Sequence, residues 1–161
     1  MRALFRLADR AAGGEPDYTE FVSEDFFTEF EHTGDVGIEL AAPSRLELFG
    51  RAVVALGRLM VAGEEIRAIE SRTITASADN DCDLMHDLLA SALNLFLVDG
   101  FIWREAAVDG RGAELTARLT GEDFDLARHE FRGEIKAVTY HQLEVAPASD
   151  GSWRARIIFD R

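Results

Sequence analysis

The sequence is short of cysteine and of long apolar segments, and both shortages limit what the protein can be. Cys82 is the only cysteine in the 161 residues, which rules out an internal disulfide and suits a reducing compartment. No apolar run is long enough to cross a bilayer. The first ten residues carry positive charge but lack the sustained apolar segment of a signal peptide. We therefore expect a cytoplasmic protein that does not enter a membrane.

Lysine is equally scarce, because Lys136 is the only lysine among 17 basic residues. The 30 acidic residues leave a net charge of −13. Such a surface is repelled by phosphate backbones, whose binding depends on neutralisation by lysine and arginine, so we expect no direct binding to nucleic acid. A compact, titratable ammonium differs chemically from the flat, permanently charged guanidinium. Lys136 is therefore a candidate functional residue.

The pattern along the chain predicts one folded domain behind a tail. Hydrophobic residues make up 47% of the chain and charged residues 29%, a balance typical of a globular protein. Residues 1–22 are expected to form a flexible N-terminal tail, and residues 23–161 the domain. A loop is expected at 120–125. Alternating segments predict strands at 26–31, 36–41, 66–78, 101–108, 113–119, 135–145 and 152–159.

Two helices are predicted between these strands. In the first, Ser44 caps the N-terminus, Glu47 reaches back to close a capping box, and Gly63 ends the helix. In the second, Asp81 or Asp83 is the cap of a segment that is apolar on most sides, so this helix should be the more buried of the two. The predicted fold is α+β: a single compact domain of mostly antiparallel sheet with two helices packed on one side.

The last two predicted strands assign candidate residues to faces, because side chains alternate across a strand. Along 152–159, one apolar face should point into the core, and Asp160 continues the opposite face. Along 135–145, Lys136 shares a face with Tyr140, whereas His141 falls on the presumed core face. The remaining histidines, His86 and His129, and Cys82 give no clear catalytic pattern.

Two aspartates stand in unusual positions. Asp35 lies in a glycine-containing turn after His32, and Asp160 lies beside Arg161 at the end of a strong strand. If that end is held in place, two carboxylates and main-chain oxygen provide hard donors suited to Ca²⁺ or Mg²⁺, with His32 as a general base. Alternatively, Asp35 bonds to its own turn, Asp160 is solvated and His32 is a satisfied structural group. Isolated aspartates are rarely ligands, so the residues alone favour the second interpretation.

Four blocks of the sequence resemble the motifs of the archease family, in the family's order, and together cover roughly residues 26–161. The third block is the most specific. The blocks are 31–37, similar to H-T-A-D-[IV]-G; 121–129, similar to G-E-x-F-D…R-H; 134–145, similar to V-K-A-V-T-Y-H-x-L-E-V; and 153–160, similar to W-x-A-x-[VI]-[ILV]-x-D.

The resemblance implies an accessory protein rather than an enzyme. Archeases promote guanylylation of the RtcB-type RNA ligase of tRNA splicing and RNA repair, and allow its multiple turnover. The family's metal site, occupied by Ca²⁺ in known members, corresponds here to Asp35, Asp160 and the main-chain oxygen of Arg161. The signature lysine corresponds to Lys136, and His32 lies beside this site as a second accessory residue. The resemblance thus favours the metal-binding interpretation of the two aspartates, and Mg²⁺ or another divalent cation would suit the same donors.

Two other functions are compatible with the same residues. A stand-alone metal-dependent phosphoester hydrolase would use Asp35, Asp160 and His32, although two aspartates and one cation make a thin catalytic site. A general chaperone or binding module with an acidic surface would act without Lys136. The first would turn over a substrate without any partner, and the second would suppress aggregation without regard to the partner's identity.

The sequence departs from the family pattern at two places. Gly34 stands where the family has alanine. In the second helix, the family's pattern is close to L-L-x-D-W-L-N-E-L-L-Y-L, and this chain keeps Asp87 but has Leu88, Ala90 and Ser91 in place of Trp, Asn and Glu. If those polar residues contact the ligase in other members, docking differs here.

Overall fold

The computed structural model describes residues 4–5, 20–21 and 26–161. Most of the predicted N-terminal tail lies outside these residues, and its flexibility stays a prediction. The two helices are α1 (Arg45–Met60) and α2 (Asp81–Asp99), and a single 3-10 turn covers Gly63–Glu65. The strands of the described part are β1 (Leu4–Phe5), β2 (Glu20–Phe21), β3 (Phe27–His32), β4 (Asp35–Ala42), β5 (Glu70–Ser77), β6 (Phe101–Arg111), β7 (Glu114–Asp123), β8 (Ala137–Val138), β9 (Glu144–Pro147) and β10 (Trp153–Asp160).

Two antiparallel sheets form the framework of the domain. The larger has the order β3-β4-β10, and the other side of β10 pairs with both β8 and β9. The smaller has the order β5-β7-β6. The short strands β1 and β2 pair with each other. The predicted α+β class with mostly antiparallel sheets and two helices is confirmed.

Helix α1 is the more buried helix, so the prediction that α2 would be was wrong. Twelve of the 16 residues of α1 are buried, against six of the 19 in α2. The reason is that α1 contacts β4 and β10 of the larger sheet and also β6 of the smaller one. Apolar character alone could not reveal this, because α2 has apolar residues that stay exposed, such as Leu97 and Val98.

The ends of α1 follow the predicted chemistry only in part. The Ser44 hydroxyl accepts a hydrogen bond from the Glu47 amide at 3.3 Å, as predicted. The Glu47 carboxylate, however, pairs with Arg51 one turn further along rather than reaching back to close a capping box. The helix ends at Met60, so Gly63 is not its stop. The three-residue spacing of Ser44 and Glu47 therefore identified the cap but not the partner of the carboxylate.

The cap of α2 is Asn80, not Asp81 or Asp83. The Asn80 side chain accepts a hydrogen bond from the Asp83 amide at 2.9 Å. Asp81 is engaged elsewhere, since its carboxylate accepts from Arg45 Nε at 2.8 Å. That ion pair joins the N-terminal ends of the two helices.

The predicted long strand over 135–145 is wrong. In place of one strand the chain forms the short strands β8 and β9, which both pair with β10, and a turn separates them in which Gln142 has a φ of 50°. In this turn the Leu143 amide donates to the Tyr140 carbonyl at 3.2 Å. The inference that Lys136 and Tyr140 share a strand face therefore fails, and His141 is exposed rather than in the core. Two other boundaries also differ, because β5 begins at Glu70 and β7 continues through the expected loop to Asp123.

Leu88, where the archease pattern has tryptophan, lies in the core of the domain with none of its surface exposed. We expect Leu88→Trp to lower the free energy of unfolding by about 1–3 kcal/mol, because a larger ring in a packed site forces neighbours apart. Urea unfolding of the two proteins would measure the difference. Ser91→Glu restores the family residue at a half-buried site and should change stability by less than about 0.5 kcal/mol. Equal stability of wild type and Leu88→Trp would contradict the expectation.

Candidate functional site

Three strand ends meet at one edge of the larger sheet. Strand β4 begins at Asp35 and β10 ends at Asp160, which pairs with Ala137 of β8. The β4–β10 ladder runs to the pair Val36–Phe159, so the next pair in the same register sets Asp35 opposite Asp160. Opposed residues of antiparallel strands have Cα atoms about 4.5–5.5 Å apart. The topology therefore brings the two candidate aspartates to one edge, and their role as ligands stays a prediction.

Lys136 is tied to the same edge by its backbone and its side chain. Its amide donates to the Asp160 carbonyl at 2.9 Å, and its Nζ atom donates to the main-chain oxygen of Arg161 at 3.2 Å. Lys136, Asp160 and Arg161 are all exposed. A carbonyl oxygen has two lone pairs, so the Arg161 oxygen can accept from Lys136 and still face a cation. The only ammonium side chain of the protein thus contacts one of the predicted oxygen donors, the main chain of Arg161, which follows Asp160 in the sequence.

His32 stands beside Asp35 at this edge, since the two residues pair directly across the β3–β4 hairpin. Its Nδ1 atom is buried and has no hydrogen-bond partner within the described residues. Its ring lies 5.0 Å from that of His141, centroid to centroid. The interpretation of His32 as a fully satisfied structural group does not hold for Nδ1. The turn of the hairpin uses Gly34 at a φ of 91°, a conformation that glycine adopts more readily than the alanine of the family pattern.

Tyr140 extends this surface toward the start of α2. Its ring is exposed and stacks on His86 with 4.0 Å between centroids, and His86 Nδ1 lies 3.0 Å from the Asp87 carboxylate. Desolvation, together with the negative charges of Asp83 and Asp87, raises the pKa of the Tyr140 phenol. The phenol is therefore held in its neutral form, in which it can donate a hydrogen bond.

The donors at the sheet edge suit a hard cation with an incomplete shell. No three His, Cys, Asp or Glu side chains come together as a metal site in the part of the chain that the structure describes. Asp35, Asp160 and the Arg161 main chain offer oxygen only, which is the chemistry that Ca²⁺ and Mg²⁺ prefer. Ca²⁺ takes about six to eight oxygens, so water or a partner molecule would have to supply the rest. Such an ion would keep positions open to phosphate oxygens.

A second polar cluster, buried below the loop that follows β7, was missed by the sequence reasoning. Glu122 and His129 are 5% and 3% exposed. The Glu122 carboxylate accepts from the Arg67 amide at 2.7 Å and from Arg128 Nη2 at 2.5 Å. The Asp125 amide donates to His129 Nδ1 at 2.9 Å, so Nε2 carries the proton and donates to Glu122 at 3.1 Å. His129, whose role the sequence left open, is a structural residue of this cluster.

The signal that could have found the cluster was the spacing of Glu122, Arg128 and His129 within one motif, because a buried carboxylate needs charged partners. Burial would raise the pKa of Glu122, but the hydrogen bonds from Arg128, the Arg67 amide and His129 together outweigh it and lower the pKa to about 2. The carboxylate therefore stays ionised in the folded protein far below the pH at which it protonates in the unfolded chain.

This lowered pKa predicts an acid-dependent contribution to stability. A depressed folded pKa stabilises the fold above the unfolded value of 4.5 and loses that contribution as the pH falls toward 2. We expect the difference in unfolding free energy between wild type and Glu122→Gln to be largest above pH 4.5 and to shrink below it. Urea titrations across this range would measure it, with Glu130→Gln in the exposed part of the same loop as the control. A pH-independent difference would contradict the assignment.

No helix in the described ranges has the length and apolarity needed to cross a membrane. The protein is therefore a small α+β domain. Both antiparallel sheets contact the buried helix α1, and charged residues gather where strand ends meet. A model of the Archease protein family (MTH1598/TM1083) matches residues 27–160 of this chain. The chain therefore belongs to the archease family, and the matched range contains Asp35, Lys136 and Asp160.

Named relatives agree with this assignment over most of the chain. The archease of Methanosarcina barkeri is 34% identical over 135 residues, which cover 81% of this chain and 92% of the relative. The archease of Pyrococcus abyssi is 29% identical, with 81% of this chain and 95% of the relative covered. The solution structure of protein 1598 of Methanobacterium thermoautotrophicum matches with a TM-score of 0.70 at 28% identity, over 84% of this chain and 99% of that one.

Proposed function

We propose that this protein activates an RtcB-type RNA ligase by promoting its guanylylation and multiple turnover in tRNA splicing or RNA repair. In this proposal it is an accessory protein, not an enzyme, and acts in the cytoplasm. Membership of the archease family supports the proposal. The observation that carries it is the meeting of Asp35, Asp160 and Lys136 at one exposed sheet edge.

The residues at that edge are suited to stabilising a phosphate group through a bound cation. Asp35, Asp160 and the main-chain oxygen of Arg161 would hold a divalent cation, Ca²⁺ in the first instance and Mg²⁺ or another ion with the same donors. When bound, the cation supplies positive charge toward the oxygens of a transferring phosphoryl group. Lys136 adds a second positive charge on the same side, and His32 pairs with Asp35 across the hairpin.

The overall charge fits a partner-dependent role. With a net charge of −13, the body of the protein is repelled by RNA, so the ligase rather than this protein would hold the nucleic acid. A small positive site on an acidic body can enter a basic, phosphate-binding active site without competing for the RNA backbone. The acidic body is then attracted to the basic partner.

The proposal is tested by measuring guanylylation of a cognate ligase with labelled GTP and substoichiometric amounts of this protein. Wild type should accelerate labelling over many ligase molecules per molecule of activator. Asp160→Ala should lose this acceleration, because it removes a cation ligand from an exposed position. Asp79→Ala, which removes one exposed carboxylate that is not among the predicted ligands, should behave as wild type.

Other results would point to the other functions. No acceleration at any ratio would defeat the activator proposal. Turnover of a phosphoester by the protein alone, lost in Asp160→Ala, would establish the hydrolase instead. Suppression of aggregation of unrelated proteins, unchanged in Lys136→Ala, would favour the chaperone.

A further inference from the structure

An exposed apolar surface lies at the end of α2 opposite to the candidate site. Its members are 49%, 72%, 74% and 44% exposed, and we call them the apolar end surface: Leu97, Val98, Leu126 and Phe131. The start of α2 lies by the 139–143 turn, where Cys82 Sγ is 3.7 Å from the Leu143 carbonyl. A 19-residue helix is about 28 Å long, so Leu97 and Val98 lie at the far end of α2 from Tyr140, which stacks on His86. Phe131 is the member nearest to the site along the chain, five residues before Lys136.

Ring contacts join the two segments that form the apolar end surface. Phe96 of α2 meets Phe124 edge-on at 5.5 Å, and Phe124 meets Phe131 at 6.0 Å, centroid to centroid. The Phe124 amide donates to the Gly100 carbonyl at 2.7 Å. The last turn of α2 and the 124–131 loop are thus fixed against each other, and their exposed apolar residues stand on adjoining segments. Apolar residues gathered in this way mark interaction sites in soluble proteins.

The loop is held in shape before any partner binds. Phe124 stacks on the buried His129 ring at 5.6 Å, and the amides of Arg128 and His129 donate to the Asp125 carbonyl at 3.0 and 2.7 Å. The Ala127 amide donates to the Asp125 carboxylate at 2.9 Å. The turn that exposes Leu126 is therefore built on the ionised Glu122 cluster. A surface ordered in advance loses little conformational entropy on binding.

The rim of the apolar end surface identifies the chemistry of its partner. Exposed carboxylates flank its members along the chain, at Asp99, Asp123, Asp125 and Glu130. Arg132 is an exposed cation nearby, but Arg128 is already paired with Glu122. A second copy of this chain would bring the same acidic rim and the same net charge of −13, and like charges across an interface are unfavourable. The complementary occupant has an apolar centre and a basic rim.

We propose that the apolar end surface docks on an apolar face with a basic rim on the RtcB-type ligase. This inference rests on the proposed function and adds to it a second contact, distinct from the edge that carries Asp35, Asp160 and Lys136. The two contacts divide the work: the apolar end surface supplies affinity, and the sheet edge supplies activation.

The division is tested by measuring affinity and stimulated rate separately with purified ligase. Val98→Ser/Leu126→Ser removes apolar area without adding charge, and both residues are more than two-thirds exposed, so the fold should persist. We expect its Kd for the ligase to rise at least tenfold, while guanylylation at saturating concentration reaches the wild-type rate. Lys136→Ala should do the reverse, with the wild-type Kd and a reduced rate. Ile69→Ser, at a 68% exposed residue outside the surface, is the matched control.

The outcomes distinguish failure of this inference from failure of the proposed function on which it rests. If wild type stimulates the ligase and the double variant binds as tightly as wild type, the docking surface is wrong and the activator function stands. A wild type that is dimeric in sedimentation, with a monomeric double variant of unchanged ligase affinity, would assign the surface to a second copy and overturn the inference. If wild type neither binds nor stimulates the ligase, the proposed function fails and the inference fails with it.

Discussion

Lys136→Ala is expected to lower the stimulated rate of ligase guanylylation by about 100-fold, the cost typical of removing one positioned donor or charge from a site of charge transfer. The backbone of residue 136 should stay in place, because the hydrogen bond from its amide to the Asp160 carbonyl does not involve the side chain. The loss can therefore be assigned to the ammonium group. Initial rates of labelling with GTP at saturating activator would measure it.

Two further variants distinguish position from charge. Lys136→Arg keeps the charge but replaces a compact ammonium with a planar guanidinium. We expect this variant to retain only part of the wild-type guanylylation rate. Arg154→Ala removes one positive charge from the opposite end of β10, where the side chain is 68% exposed, and it should leave the rate unchanged. If Arg154→Ala reduced the rate as much as Lys136→Ala, only the net charge would matter.

Gly121→Ala is expected to produce the largest loss of stability, about 3 kcal/mol or more, because the added atom has no room. A Cβ at this position would lie 1.9 Å from the Ile102 carbonyl oxygen and 2.6 Å from the Trp103 Cα atom. Both neighbours are backbone atoms of the paired strand β6, which is already irregular between Trp103 and Glu105. Relief would require β6 and β7 to move apart. Urea or thermal unfolding would measure the change.

Gly112→Ala provides the contrast for this prediction. Gly112 has a φ of 57°, and a Cβ there would meet nothing within 4 Å. Its cost is therefore limited to the left-handed backbone, about 1–2 kcal/mol. A Gly121→Ala protein no less stable than Gly112→Ala would mean that the close approach of β6 and β7 does not restrict this position.

Local sequence patterns correctly predicted the elements whose structure depends mainly on residues adjacent in the chain. The alternation at 36–41 gave β4, and the serine before the first helix gave its cap, because both signals depend on a few adjacent residues. The same reasoning failed at 135–145, where the residues alternate but the backbone turns at Gln142. There the long strand β10 pairs with two short segments, and β pairing between distant segments is not encoded in either one alone.

The candidate site likewise depends partly on features visible in the sequence and partly on pairing between distant strands. The single lysine and the two isolated aspartates could be selected from the sequence, because scarcity and chain position are visible there. Their meeting at one edge required the register of β4, β8 and β10. The Glu122 cluster was overlooked because its members look like ordinary surface charges until the fold buries them.

The sequence by itself determined the family and the α+β class, and it supplied the candidate site residues. The tertiary structure alone decided which helix is buried, that Asp35 and Asp160 share an edge with Lys136, and that the apolar end of α2 adjoins the 124–131 loop. The physical reason is that motifs and helix caps depend on covalent neighbours, whereas burial and strand register depend on segments far apart in the chain.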